Sequence, residues 1–191
     1  MDVLPPSLTK IRSAPLTVSR AELLVNGSDS EFRALVHAML AFSARLQGVR
    51  EGFAALVGLT GIQYTILISI RHLQNETEVT VGSVADHLHL SGAFITIETG
   101  KLVRSGLISK VQDLRDRRRV CLRITRRGRE LLSRLSPVQA PVNNVLFEFL
   151  SAEQFRAVAA VMGSVVECGD RALALLEYLA SRNEGRARRK R

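Results

Sequence analysis

The chain has 191 residues, with 27 Lys plus Arg against 18 Asp plus Glu, a formal net charge of +9 and a pI near 10.7. That length allows one compact domain, or one domain with long appended helices, and an apolar share of 46% excludes a disordered chain. Two Cys exclude a disulfide scaffold and suit a reducing compartment. No apolar run reaches the roughly 18 residues of a membrane span, and MDVLPPSLTKIRSAPL lacks a signal peptide's apolar core. The expectation is a cytoplasmic protein with no membrane partner and an anionic one, because the chain is strongly basic.

Residues 1–28 hold Pro5, Pro6 and Pro15 and read as an arm, with a helical turn possible at SRAELL. Ser28 and Glu31 form a possible capping box, after which Phe32, Leu35, Val36, Met39, Phe42, Leu46, Val49, Phe53 and Leu56 predict a helix of about 25 residues. Thr60 and Gln63 form a second box ahead of Ile62, Ile66, Ile70 and Leu73. Val79-Thr80-Val81 is a possible short strand. Two short helices follow, the second capped by Ser91 and spanning about 92–104, with Gly106 placed for a left-handed cap. LISKVQ and RVCLRIT predict a hairpin around DLRDRR, with Val120, Leu122 and Ile124 on one face and Cys121 and Arg123 on the other.

Thr125 caps a further helix, predicted to run to Phe149 and to be kinked or interrupted by Pro137 and Pro141. Ser151 and Gln154 open the last helix. Its Phe155, Met162, Gly169 and Leu176, and likewise Val158, Val165, Ala172 and Leu179, recur at sevenfold spacing. Such a stripe packs either along a partner helix or against the chain's own core. The element order predicts a mainly α fold with a small β wing: a winged helix-turn-helix flanked by long N- and C-terminal dimerisation helices. Its segments are an arm (1–28), a dimerisation helix (29–58), the winged domain (59–125), C-terminal dimerisation helices (126–181) and a basic tail (182–191). A monomer would leave the outer stripes uncovered. A twofold dimer covers them and presents two recognition helices to half-sites about 10 bp apart.

The charge is local. Residues 101–129 carry eleven Lys or Arg against Asp113 and Asp116, and 182–191 carry six against Glu184, so the remainder is acidic. A charge run is often only a solvated face, but one this lopsided inside a folded region points to a binding surface. Other chemistry finds little support. His87 and His89 span a helix end and make a poor metal pair, His37 and His72 stand apart, and Cys121 and Cys168 are isolated. Walker, Rossmann and nucleophile-elbow patterns are missing, so neither an enzyme nor a cofactor is expected.

Three stretches together carry a resemblance: LTGIQYTIL at 59–67, VTVGSVADHLHLSGAFITIETGKLVRSGLISK at 79–110, and DLRDRRRVCLRITRRG at 113–128. The last holds a D-x-R-D-x-R pattern at Asp113, Arg115, Asp116 and Arg118. The sequence resembles the MarR family of bacterial transcription regulators over about residues 30–180. The resemblance implies a homodimer on a pseudo-palindromic site in double-stranded DNA, acting as a ligand-responsive repressor or as an activator. Arg115 would enter the minor groove at the wing tip, with Lys110, Arg117, Arg118 and Arg119 adding contacts and Asp113 and Asp116 shaping the wing. Ser91, Gly92, Ala93, Thr96, Glu98 and Lys101 would serve the recognition helix. The chain departs from the common pattern at Ile97, where many members have Arg, and at Gly100, where a side chain is usual. Fewer charged base readers imply that more of the specificity comes from the wing and from DNA shape.

Many relatives bind aromatic or phenolic acids between the dimer helices and the winged domain. The matching wall here is His37, Phe42, Arg45, Tyr64, Ile68 and Arg71, with an aromatic acid or its CoA thioester as the expected effector. The redox-sensing relatives use a Cys near the start of the first long helix, which this chain lacks; Cys121 is the remote alternative. Two readings of other classes remain: a sequence-tolerant architectural DNA-binding protein, and a tail, RARRKR, that tethers the chain to anionic lipid.

Overall fold

The structure, a computed structural model, describes residues 15–75, 78–112 and 120–188. It divides into two compact units, Met1–Ser136 and Pro137–Arg191.

In the first unit the arm is tied down before any long helix begins. A single 3-10 turn, Ala21–Leu23, forms within SRAELL. Helix α1 is Ser30–Leu56, and its N-cap is Asp29 rather than Ser28, so the expected Ser28–Glu31 box does not form. The Asp29 carboxylate is engaged elsewhere. It accepts from Thr17 N (2.7 Å), Thr17 Oγ1 (2.6 Å) and the Arg33 guanidinium (2.7 Å), while Arg33 also donates to Pro15 O. Asp29 is buried, and its bond with Arg33, then those with Thr17, hold its pKa well below the usual carboxylate range.

Helix α2 (Gly61–Leu73) starts at the predicted box: Thr60 Oγ1 accepts from Gln63 N and Gln63 Oε1 accepts from Thr60 N. It buries Tyr64, Ile66, Leu67 and Ile70, and Tyr64 meets Phe53 of α1 edge to face at 6.3 Å. Helix α3 (Val81–Leu88) opens on a box that the sequence reading missed, Thr80 with Ser83. That box explains why Val79-Thr80-Val81 is not a strand. Thr80 itself stays extended (φ −116, ψ 170), but Val81 already belongs to α3, so the third strand shrinks to one bridge, Thr80 to Cys121, beside a 2.7 Å bond from Leu122 N to Val79 O.

Helix α4 (Gly92–Arg104) is capped by Ser91 Oγ, which accepts from Phe94 N. Its C-terminus closes as predicted: Gly106 (φ +70) donates to Val103 O and Leu107 N to Leu102 O, and Leu107 is buried. Only a residue free to adopt positive φ without Cβ crowding closes this turn cheaply. Strands β1 (Ile108–Gln112) and β2 (Val120–Ile124) pair antiparallel, with Ile108 opposite Ile124 and Lys110 opposite Leu122. The expected alternation in β2 fails at two positions, because Val120 is exposed and Cys121 is buried along with Leu122 and Ile124. Thr80 bridges to Cys121 at the strand edge away from β1, and α2 and α3 pack against β2.

Helix α5 (Arg126–Leu146) is capped by Thr125, whose Oγ1 accepts from Gly128 N at 3.0 Å. Gly128 sits against the Leu107 carbonyl so closely that an added Cβ would lie 2.2 Å from that oxygen. This explains the glycine three residues after Thr125: a β-carbon at 128 would push the helix off the hairpin's base. Leu131, Leu132 and Leu135 continue the burial to the edge of the unit. Helix α1 packs on α2, and α2 and α3 both pack on α4; α2, α3 and α4 also contact the hairpin.

Pro137 and Pro141 lie inside α5 and do not interrupt it. Each removes one backbone donor. Both are exposed and one turn apart, so the carbonyls they leave unpaired lie on a wet face. The helix stops at Leu146, short of the predicted Phe149.

In the second unit Ser151 and Gln154 form the predicted reciprocal cap, and helix α6 runs from Ala152 to Arg188. From Ser151 to Asn183 every side chain is exposed, the sevenfold stripe included.

Candidate nucleic-acid interface

Helix α4 is held by one face and offers the other. Ile95, Thr99 and Leu102 are fully buried, and burying an aliphatic side chain of this size contributes about 1.5–3 kcal/mol. Gly92, Ala93, Phe94, Thr96, Ile97, Lys101 and Arg104 are exposed. The helix is thus fixed through its inner stripe and free along its outer one.

Glu98 corrects the sequence reading. It is buried, accepting from Lys101 Nζ at 2.6 Å and from Gln63 Nε2 at 3.2 Å. The Lys101 bond, then Gln63, holds its carboxyl below the ordinary range against the opposing effect of burial. Its role is to tie α4 to the first turn of α2 and to orient Lys101. Thr96 is exposed, but its hydroxyl donates to Gly92 O at 2.8 Å, so its proton is already committed to the helix.

On the hairpin, Lys110 and Arg123 are exposed. Arg115, Arg117, Arg118, Arg119, Asp113 and Asp116 lie outside the described residues. The wing placed here is therefore its two strands.

The expected effector wall takes in exposed, half-buried and buried positions of this single chain. His37, Phe42 and Arg45 are exposed on α1, where Arg45 donates to Ala41 O; Ile68 is half-buried and Arg71 exposed on α2. Tyr64 is only 2% exposed and belongs to the core, which corrects its assignment as a wall residue. The sequence reading also missed Arg50 on α1. It is half-buried, its Nε has no hydrogen-bond partner among the described residues, and burial lowers its pKa while Tyr64 opposes that effect. Two clefts stand out, and none of the six expected wall residues lines either. The larger, about 590 Å³, lies between the end of α2 and β2, lined by Gln74, Glu78, Cys121, Arg123 and Arg129 among others. Among the described residues no three His, Cys, Asp or Glu side chains gather as a metal site requires.

Phe94 and Ile97 are the outward residues that the sequence reading did not assign to the site. Ile95, Thr99 and Leu102 fix the inward direction, and Phe94 and Ile97 sit about 100° and 200° around the wheel from Ile95. That wheel was available from the sequence.

Solved structures match this arrangement of a capped α3–α4 pair, a two-stranded wing and flanking helices. A MarR transcriptional regulator from Methanosarcina mazei Go1 matches with a TM-score of 0.59 at 18% identity, over 73% of this chain and 99% of that one. The fold is the MarR-type winged helix. A MarR protein from Peptoclostridium difficile matches at 0.58 and 18% identity, over 81% of this chain and 97% of that one. A MarR variant from E. coli, solved in complex with operator DNA, matches at 0.57 and 17% identity over 71% and 95%. No protein-family model and no curated protein matches the sequence. Among the described residues of this MarR-type fold, no single helix is long and apolar enough to cross a membrane.

Proposed function

We propose that this chain is a DNA-binding transcription regulator that acts as a homodimer on a pseudo-palindromic operator. The observation that carries the reading is α4: its inner stripe is locked in the core, its outer stripe is open, and the most basic part of the chain begins on the same helix at Lys101. Insertion of such a helix into a major groove, with basic strands beside it on the phosphates, is what this geometry supports. The E. coli neighbour bound to operator DNA adds weight by analogy of fold. The exposed stripe of α6 supports dimerisation, since a second copy supplies an equal stripe to cover it.

The reading is tested by competition at moderate salt. A specific regulator prefers its operator over random DNA by about a thousandfold or more. A sequence-tolerant architectural protein, the reading favoured by the scarcity of hydrogen-bonding groups on α4, shows little preference. Arg115→Ala is expected to lose roughly 1–3 kcal/mol of operator affinity at matched salt if Arg115 makes a groove contact. An aromatic acid or its thioester remains the proposed effector class, and calorimetric titration of a panel of both, with no heat from any, would count against it.

A further inference from the structure

We propose that Ile97, with Phe94 and Ala93 beside it, reads thymine methyl groups, so that α4 selects T-bearing half-sites by apolar contact in place of hydrogen bonds. This rests on the DNA-binding reading above and names what the recognition helix looks for.

The argument begins with what the outer surface of α4 offers. Ala93 and Ile97 are four residues apart and Phe94 and Ile97 three, so the three side chains adjoin on one face. Ile97 is 58% exposed and Phe94 38%. The polar groups nearby are few and each is at least partly engaged. Thr96 donates its proton to Gly92 O, Ser91 Oγ accepts from Phe94 N, and Glu98 is turned into the core against Gln63 and Lys101. Gly92 and Gly100 add no side chain, and a Cβ at either would meet nothing within 4 Å. The first two turns therefore carry little with which to read the donor and acceptor code of a base edge.

An exposed apolar patch needs an occupant, and its frame indicates which. Lys101 and Arg104 on the same helix and Lys110 on β1 are exposed around it, and residues 101–129 carry eleven cationic side chains against two acids. A cationic frame matches a polyanion, which argues for DNA over an apolar protein surface. Within the major groove the thymine C5-methyl is the apolar group on display. Gly100, about 60° around the wheel from Ile97, adds no side chain on that face to hold the helix away from the groove.

The probe is the DNA fragment most enriched by the purified protein from sheared DNA of its own genome. It is synthesised once with thymidine and once with deoxyuridine at every half-site T, which deletes only the methyl groups. Each methyl contacted contributes about fourfold. The wild-type chain is expected to bind the deoxyuridine fragment at least tenfold more weakly, and Ile97→Ala, an exposed substitution that leaves the core intact, to lose at least one methyl's share, about fourfold, of that difference. Equal affinity of the wild-type chain for both, within twofold, overturns this inference and leaves DNA binding standing. Equal methyl discrimination by wild type and Ile97→Ala also overturns it, by showing that another group reads the methyls. Failure to enrich any fragment overturns the operator-specific reading above and this inference with it.

Discussion

Helices α4 and α6 carry apolar residues at similar helical spacing and meet opposite fates. In α4, thirteen residues long, Ile95, Thr99 and Leu102 are fully buried and the helix is locked in its unit. In α6, thirty-seven residues long, every described side chain to Asn183 stays in solvent. An apolar period records a capacity to bury surface; whether the covering surface lies in the same chain is a separate matter. In the first case the stripe stabilises the fold, and in the second it stays exposed, as the proposed dimer requires. The outer face of α4 is a smaller version of the second case, with Ile97 and Phe94 exposed for a different partner.

The contrast breaks most sharply under mutation of the two stripes. Leu102→Ala should cost about 2–5 kcal/mol in chemical denaturation, at any protein concentration, because the cavity forms inside one chain. Leu176→Ala should cost less than about 0.5 kcal/mol at concentrations where the chain is monomeric. Raising the concentration should then stabilise the wild-type chain more than the variant, since dimer formation adds stability by mass action. If Leu176→Ala destabilises equally at every concentration, the stripe of α6 is an intrachain one.

The next effect sharpens how the buried side is assembled. Gly128→Ala places a Cβ 2.2 Å from Leu107 O and should cost about 1–3 kcal/mol in thermal or chemical denaturation. Gly100→Ala, where a Cβ meets open space, should instead stabilise by about 0.5–1 kcal/mol by removing a mid-helix glycine. The two glycines look alike in sequence and are expected to give opposite signs.

The smallest effect concerns the arm. The carboxyl of Asp29 is held well below its ordinary value by Arg33 and Thr17, so its contribution is fully present above the ordinary carboxylate range. It is lost as the pH falls below that range towards the folded-state value. Protease-resistance of the arm, followed as the pH is lowered, should fall in that window in the wild-type chain, and Asp29→Asn should show weak protection at every pH. A pH-independent arm in both would remove the clasp from the account.

Much of this was legible in the sequence because it is local. The boxes at Thr60–Gln63 and Ser151–Gln154, the Ser91 cap, the span of α4 and the Gly106 closure each depend on residues within one or two turns. What was misread depends on contacts distant along the chain. Glu98 looked outward until Gln63, thirty-five residues earlier, was placed beside it. Cys121 looked exposed until Thr80 bridged to it, and Asp29 displaced Ser28 as the cap of α1 while also gripping Thr17. Tyr64 was assigned to a ligand wall because helix spacing alone does not tell a wall from a core. Pro137 and Pro141 do not interrupt the helix for another reason: the penalty of a helical proline depends on whether the carbonyl it orphans can reach water, which a sequence does not state.

The central claim, specific recognition of DNA by the α4 face, is tested most directly by sequencing what the purified full-length chain enriches from sheared DNA of its own genome. The account predicts a shared pseudo-palindromic motif with half-site centres about one helical turn, 10 bp, apart and with T at positions facing Ile97. Uniform recovery of fragments with no shared motif would contradict it.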